Sequence, residues 1–201
     1  MTGMPLDERD VAYVSNQFET LAHACEQHSF KEAEVRILML AGRLPLPSYV
    51  LPNGTPMVPH DYFQLLEEAS SVDAMQLLFQ TRLTQAAKDE GLSLDDAEIE
   101  AAWFGYLNGH YGICLKNVTP ENIVLKTKLI GEVRELMSQP QPDSPSWLER
   151  LREGVNALDA LERAFTRYDR LRFGRLPSRV LYVDQVREQY PEAFRDEVSI
   201  L

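Results

Sequence analysis

Apolar residues recur at steps of three and four along most of this chain, which is the spacing of one face of an α-helix. A first helix is predicted over residues 7–27. It is marked by five apolar positions: Val11, Val14, Phe18, Leu21 and Cys25. A second, shorter helix is predicted over residues 31–41, with Gly42 ending it.

Residues 44–60 interrupt the helical pattern with five prolines. Within them, Asn53-Gly54 lies between two short apolar runs, and this dipeptide tolerates the positive φ angles of a tight hairpin turn. A small β-hairpin is therefore predicted near residues 48–58. The prolines should keep it short and at an edge, because proline cannot donate to a neighbouring strand.

Helical spacing returns at Asp61 and continues to the end of the chain, with an interruption expected at Ser70-Ser71. Residues 95–108 carry two apolar stripes and are predicted to form a buried central helix, whereas residues 109–115 are predicted to be a loop or short extended piece. The other helices are predicted over residues 61–90, 119–136, 146–173 and 184–189. The fold expected is an all-α bundle of about six or seven helices with one small hairpin.

Length and composition indicate one globular domain, since the chain has 201 residues, of which 44% are hydrophobic and 25% charged. A subdivision is conceivable at the proline-rich stretch after residue 138. The segment 1–138 would be an acidic helical core with the hairpin, and residues 143–201 an arginine-rich helical end, in which all ten basic residues are arginine.

The net charge of −11 argues against general binding to nucleic acid, which requires an excess of basic residues. No apolar run approaches the ~20 residues of a membrane span, and the first residues do not read as an export signal. With only two, widely separated cysteines, we expect reduced thiols and a cytoplasmic location.

Strong catalytic and cofactor motifs are missing from the sequence, including phosphate-binding glycine loops, Cys-x-x-Cys and His-Glu-x-x-His. We therefore predict no metal site, and the sequence leaves any cofactor undetermined. Glu19 and His23 have the i, i+4 spacing of a two-residue metal site, but a solvated ion pair is the favoured interpretation.

The segment 109–121 brings together side chains that could carry chemistry. His110, Tyr111 and Cys114 are the candidate catalytic residues, with Lys116 and Glu121 as candidate ligand contacts. A Cys–His pair can form a nucleophile, and the nearby glycines would let the backbone approach a small molecule closely. The alternative interpretation, which we favour, makes Cys114 a small core residue and His110 a helix cap.

A cluster of arginines with interleaved aromatics forms a second candidate site near the C-terminus. Arg163, Arg167 and Arg170 could bind the carboxylates of an acidic partner, because guanidinium groups form two parallel hydrogen bonds to a carboxylate. The alternative is that these arginines pair with the surplus carboxylates of residues 1–142.

The order helix, Gly42, Leu-Pro and hairpin is the layout of winged-helix modules in excisionases and related regulators. Residues 29–63 contain only Lys31, Arg36 and Arg43 as basic residues, too few for a DNA-reading wing. The segment is therefore interpreted as a structural motif or a relic, in which Arg43 and Tyr49 are candidate binding residues.

Three runs of sequence are distinctive: AGRLPLPSYVL at residues 41–51, MVPHDYF at 57–63, and YGICL at 111–115 followed by Thr-Pro-Glu. They resemble an uncharacterised bacterial family known only as natural-product biosynthesis proteins. The resemblance covers most of residues 30–136 and implies a role in secondary metabolism, without a mechanism or catalytic residues.

Three functions remain open at this point, and neither catalysis nor the oligomeric state is decided. The preferred one is an accessory or enzymatic protein of secondary metabolism with a small-molecule pocket near residues 109–121. The second is a non-catalytic partner that docks an acidic protein, such as a carrier domain, through the arginines. The third is a degenerate winged-helix-like transcriptional regulator.

Overall fold

The computed structural model describes residues 6–172 and 176–200, with side chains described as far as Arg195. These residues form eleven α-helices and a small three-stranded antiparallel sheet. A mostly helical fold with a small hairpin is confirmed. The helices outnumber the prediction because several predicted helices are divided, and the sheet has a strand that was not predicted.

The chain divides into two compact units, Met1–Val124 and Leu125–Leu201. The division falls inside α8, whereas the sequence pointed to the proline-rich stretch after residue 138. The elements of the first unit are α1 (Glu8–Gln17), β1 (Glu19–Thr20), α2 (Leu21–Gln27), α3 (Glu32–Leu40), β2 (Tyr49–Val50), β3 (Pro56–Val58), α4 (Gln64–Ala69), α5 (Val72–Asp89), α6 (Asp96–Leu107) and α7 (His110–Cys114).

The predicted first helix is two helices separated by a strand. Asp7 begins α1 with a reciprocal capping box to Asp10, and Phe18 ends it in an extended conformation. The Thr20 hydroxyl then accepts a hydrogen bond from the backbone N–H of His23 (3.1 Å) and begins α2. The side chain of Phe18 is buried although its backbone is extended. The apolar spacing therefore continues across the break between α1 and α2, and the sequence pattern does not reveal that break.

The sheet has the order β1-β3-β2, with both pairings antiparallel. Thr20 and Tyr49 flank Met57 of the central strand. The predicted hairpin is confirmed, with residues 51–55 joining β2 to β3. Gly54 has φ +85°, but Asn53 does not adopt a positive φ, so the connection is longer than the tight Asn-Gly turn that was predicted. Strand β1 has only two residues, too few to show a period of two.

The helices that follow pack around aromatic residues. The predicted interruption at Ser70-Ser71 is confirmed, since Ser70 ends α4 in the left-handed region and the Ser71 hydroxyl begins α5. Phe79 of α5 contacts Trp103 and Tyr106 of α6 with ring centroids 5.3 and 5.2 Å apart. The segment expected to be a loop after residue 109 is the short helix α7 instead.

In the second unit, a core is formed by twelve buried residues that include Trp147, Leu151, Val155 and Leu158. Its elements are the greater part of α8 (Pro120–Ser138), then α9 (Pro145–Leu161), α10 (Arg167–Arg172), a π-helical turn (Val180–Asp184), α11 (Gln185–Gln189) and a 3-10 helix (Pro191–Ile200). The single helix predicted over 146–173 is wrong, because Glu162 adopts an extended conformation and ends α9. The predicted end at Phe173 lies outside the described residues.

None of the helices in residues 6–172 and 176–200 combines the length and the apolarity that crossing a membrane requires.

Candidate functional site

The N-terminal unit has the order of helices and strands that a winged-helix module has. Strand β1 leads into α2 and α3, which are joined by the four residues 28–31, and the hairpin β2–β3 then pairs with β1 in the order β1-β3-β2. Two helices joined by a turn of three or four residues form a helix-turn-helix, whose second helix recognises the ligand in DNA-binding proteins. Here α3 occupies that position, and the hairpin forms the wing.

The turn between the two helices depends on Ser29, whose φ is +59°. This left-handed conformation lets the backbone N–H of Phe30 reach the carbonyl of Cys25 (2.9 Å) at the end of α2. Phe30 then packs on Phe63, with ring centroids 4.6 Å apart. The turn therefore holds α3 at a fixed angle to α2.

Helix α3 buries one face and exposes an apolar stripe on another. Val35 and Met39 lie in the core at 2% and 6% exposure. Ile37 and Leu40 face solvent at 65% and 87% exposure, and Ala33, one turn earlier, is also exposed. We call Ala33, Ile37 and Leu40 the α3 stripe.

The basic residues around the α3 stripe are all occupied by carboxylates. Lys31 lies 2.9 Å from Glu34, and Arg36 lies 2.6 Å from Glu32. Arg43, a predicted binding residue, forms an ion pair with Asp73 at the start of α5. In a DNA-binding module, the basic residues at these positions contact phosphates. Here the three basic residues are paired with carboxylates of the same chain.

Tyr49, the other binding residue predicted in this segment, lies in the core. It is 2% exposed, and its ring meets the ring of Phe18 edge-on at 4.9 Å. Its hydrophobic contact explains its presence at the first position of β2.

A groove of about 360 Å³ lies beside α3, on the side away from solvent-facing Leu40, between α3 and the α4–α5 turn. Its apolar lining comes from Phe30, Val35, Leu38, Leu44, Leu66 and Val72. Lys31, Glu34 and Glu67 supply the polar part of the lining.

Glu19 of β1 lies between two histidines. Its carboxylate is 4.0 Å from His23 Nε2 and 3.5 Å from His60 Nδ1, and both histidines are largely exposed. The i, i+4 pair expected from the sequence is thus present, with His60 as an addition. In the part of the chain that the structure describes, no group of three or more His, Cys, Asp or Glu side chains is arranged to hold a metal ion.

The predicted catalytic residues fall on the short helix α7 in different environments. His110 is exposed, Tyr111 is half-buried, and Cys114 is 9% exposed. The Cys114 thiol lies 3.6 Å from the carbonyl oxygen of Tyr111 within its own helix. Burial of this kind is typical of a structural cysteine rather than a nucleophile.

The glycines of this segment allow close packing of the chain on itself. A Cβ at Gly109 would lie 2.4 Å from the carbonyl oxygen of Leu46, and one at Gly112 would lie 2.3 Å from Ser48 Oγ. The cavity left between these segments is about 20 Å³, the size of one water molecule. The close approach predicted at these glycines is therefore made by residues 46–48.

Two tyrosines beside this small cavity are held neutral. Burial, with the nearby Asp61 carboxylate, raises the pKa of Tyr106, and burial raises the pKa of Tyr62 well above its usual value. The Tyr62 hydroxyl donates to the carbonyl of Pro45 at 2.7 Å. These phenols serve as hydrogen-bonding groups of the interior.

The remaining predicted contacts of this segment, Lys116 and Glu121, lie at the surface. Lys116 is exposed. Glu121 accepts two hydrogen bonds from Arg82, from Nε at 2.8 Å and from Nη2 at 2.7 Å. These bonds lower the pKa of Glu121 and join the first turn of α8 to α5.

The three arginines predicted to form a docking surface are separated by burial. Arg163 is 6% exposed, whereas Arg167 and Arg170 are exposed on α10. Arg179, nine residues after Arg170, forms an ion pair with Asp159 of α9. The partner of Arg179 is thus a residue of the same C-terminal unit and lies outside residues 1–142, so pairing of the predicted arginines with the acidic N-terminal part stays a prediction.

The sequence did not reveal a buried carboxylate at Glu162. This residue has no exposed surface, and its Oε1 lies 2.8 Å from Lys126 Nζ and 2.6 Å from Ser178 Oγ. Its Oε2 has no hydrogen-bond partner among the described residues. Glu162 was overlooked because it stands in an arginine-rich run that resembles an exposed helix face.

Comparison with known proteins gives one match. A model of a family of unknown function, DUF6058, matches residues 69–191, which is more than half of the chain. No curated protein matches, and no solved structure does. The matched region begins at the end of α4, so the winged-helix module precedes it.

Proposed function

Because the chain belongs to the DUF6058 family, whose function is unknown, we propose its function from the geometry: it is a non-catalytic interaction protein whose winged-helix module binds another protein. The observation that carries this proposal is the α3 stripe, an exposed apolar surface on the helix that would read DNA in a regulator.

The charge of the module favours a protein ligand over DNA. Residues 6–63 contain eight acidic and four basic side chains, a net charge of −4. A protein that contacts DNA gains its non-specific affinity from neutralised phosphates, so an acidic module is repelled rather than attracted.

The apolar residues supply the affinity in its place. Full burial of a Leu or Ile side chain contributes about 1.5–3 kcal/mol, and Ile37 and Leu40 have most of that area still to bury. Val50, on the outer side of β2, is 56% exposed and adds to the apolar surface of the module.

The partner that fits this surface is a protein with an apolar groove and a basic rim. An amphipathic helix inserts side chains spaced by three and four residues into such a groove, as Ala33, Ile37 and Leu40 are spaced. Glu32 and Glu34 flank the stripe and already pair with Arg36 and Lys31, so a basic rim would be attracted by the net charge of −4 of the module as a whole.

Two further roles stay predictions. A setting in natural-product biosynthesis is consistent with an accessory protein of this kind, but the family match does not address it. Catalysis by His110, Tyr111 and Cys114 would need a substrate cavity, and the one lined by neighbouring Gly109 and Gly112 has room for one water.

Site-specific photo-cross-linking in the native host tests the proposal. A benzophenone amino acid at Leu40 should cross-link a defined protein, whereas the same group at Leu77, which is 71% exposed on α5, should not. The purified partner should then bind the Ile37→Glu variant at least about tenfold more weakly than the natural protein, because the substitution places a charge in the apolar contact. Glu34→Lys should weaken binding more at low salt than at high salt, because salt screens the charge that the substitution reverses.

Two results would contradict the proposal. One is equal cross-linking from Leu40 and Leu77, because the α3 stripe would then have no specific ligand. The other is retention of the protein on duplex DNA at about 150 mM salt, which would restore the regulator hypothesis despite the charge.

A further inference from the structure

Helix α10 in the C-terminal unit presents a small cationic surface that the winged-helix proposal does not involve. Arg167 and Arg170 are three positions apart and both exposed, and Leu171 beside them is 56% exposed. Residues three apart on a helix are neighbours on its surface. We call these three residues the α10 face.

The acidic residue of α10, Asp169, is buried. Asp169 has no exposed surface, and its Oδ2 accepts hydrogen bonds from the backbone N–H and the hydroxyl of Thr166, both at 2.9 Å. Its charge is therefore used to hold the start of α10. The outward surface is left with positive charge and one apolar side chain.

Other arginines of the same unit are engaged within the fold. Arg179 and Arg187 contact Asp159, and Arg134 donates to the hydroxyl of Tyr182 at 3.2 Å. Among the residues that the structure describes, Arg167 and Arg170 have no ion-pair partner. The two guanidinium groups of the α10 face are therefore available to an external anion.

We propose that the α10 face binds an acidic amphipathic helix of another protein. Two carboxylates one turn apart on such a helix match the spacing of Arg167 and Arg170, and each guanidinium can form two parallel hydrogen bonds to a carboxylate. An apolar side chain on the same helix covers Leu171, which a phosphate group cannot do.

Charge and size favour a peptide over a nucleic acid. Proteins that bind DNA through its backbone typically make about 6–10 phosphate contacts, and the α10 face offers two arginines. The net charge of −11 also repels a long polyanion, whereas a short acidic helix experiences mainly the local positive field.

The test uses the full-length protein and a fluorescent synthetic helix with Glu at positions i and i+3 and Leu at i+4, measured by anisotropy. A peptide with Gln in place of each Glu is the ligand control. Arg167→Glu with Arg170→Glu should weaken binding of the acidic peptide by at least about tenfold. Leu171→Ser should weaken it by a smaller factor, and raising the salt should weaken it as well.

The protein control has the same change in net charge at residues outside α10. Lys88→Glu with Arg150→Glu reverses two exposed basic residues on α5 and α9 and should leave the affinity within about twofold. An equal loss in both double variants would overturn the proposal, since binding would then depend on total charge. Tighter binding of a single-stranded oligonucleotide than of the acidic peptide, or no preference for Glu over Gln, would also overturn it.

Discussion

The buried ion pair between Lys126 and Glu162 yields the sharpest stability prediction. Replacing Lys126 by Met removes the cation and keeps a side chain of similar length. Among the described residues, the Glu162 carboxylate then retains only the hydrogen bond from Ser178 at its Oε1, in a position with no exposed surface. Removing one partner of a buried ion pair costs about 3–5 kcal/mol, because the remaining charge is left without compensation.

The magnitude should be at the lower end of that range, about 3 kcal/mol, for two reasons. The Ser178 hydroxyl lies 2.6 Å from the carboxylate and continues to stabilise its charge. The Lys126 side chain is 13% exposed, so the site is close enough to the surface for partial relaxation. Replacing both residues by Met removes the charges together and should restore stability to within about 1–2 kcal/mol of the natural protein.

Urea unfolding monitored by the fluorescence of Trp147, which lies in the core of the C-terminal unit, measures these changes. A Trp103→Phe background removes the fluorescence of the N-terminal unit from every variant. Lys128→Met is the matched control, because the Lys128–Glu132 pair belongs to the same unit and has side chains 32% and 48% exposed. That variant should change the free energy of unfolding by less than about 1 kcal/mol.

If Lys126→Met cost no more than Lys128→Met, the reasoning would be refuted. Glu162 would then be stable in the interior without its cation, and the ion pair would contribute as little as one at the surface. A double variant as unstable as Lys126→Met would likewise show that lost packing, rather than an uncompensated charge, causes the effect.

Three further predictions concern backbone and charge. Ser29→Gly should stabilise the protein by about 0.5–1 kcal/mol in thermal unfolding, since glycine adopts φ +59° without strain; a loss of stability would contradict this. Gly112→Ala should lower the free energy of unfolding by about 1–3 kcal/mol, because its Cβ would lie 2.3 Å from the Ser48 hydroxyl oxygen. Gly131→Ala is the control in the same assay. It should be neutral or stabilising, because a Cβ there would meet no atom within 4 Å. Burial acts to raise the pKa of Asp159, but hydrogen bonds from two arginines hold that pKa below its usual value. This stabilisation is present above the unfolded pKa of about 4 and is lost as the pH falls through the folded pKa. Asp159→Asn should therefore be less stable than the natural protein at pH 7, with the difference shrinking towards pH 3; an unchanged difference would be inconsistent with the ion pair.

The helices were largely predictable because the signal for them is local. The spacing of apolar residues identified the helical segments, and the Asn53-Gly54 turn identified the hairpin, since each depends on residues close together in sequence. The interruption at Ser70-Ser71 was predictable for the same reason, because a cap is formed by the residues that flank it.

The places where helices break within an apolar pattern were not predictable. Phe18 continues the helical spacing of α1, although its backbone is extended and leads into a strand that pairs with Val58 and Met57, about forty residues later. The pairing that stabilises β1 is non-local, so the sequence around Phe18 contains no sign of it.

The candidate surfaces show the same limit. Sequence grouped Arg163, Arg167 and Arg170 by type and spacing, but burial separates the first from the other two. Sequence also placed Arg43 among binding residues, and its partner Asp73 comes from another helix. Whether a charged side chain is free or paired depends on which segments the fold brings together, which spacing along the chain does not encode.

The sequence by itself determined the helical content, the hairpin, the acidic charge and the shortage of basic residues near α3, because composition and short-range spacing carry each of them. Only the tertiary structure decided that β1 completes a winged-helix sheet, that Ile37 and Leu40 face solvent, and that Glu162 is buried against Lys126. These features depend on contacts between residues far apart in sequence, whose net free energies are set by burial and desolvation in the folded chain.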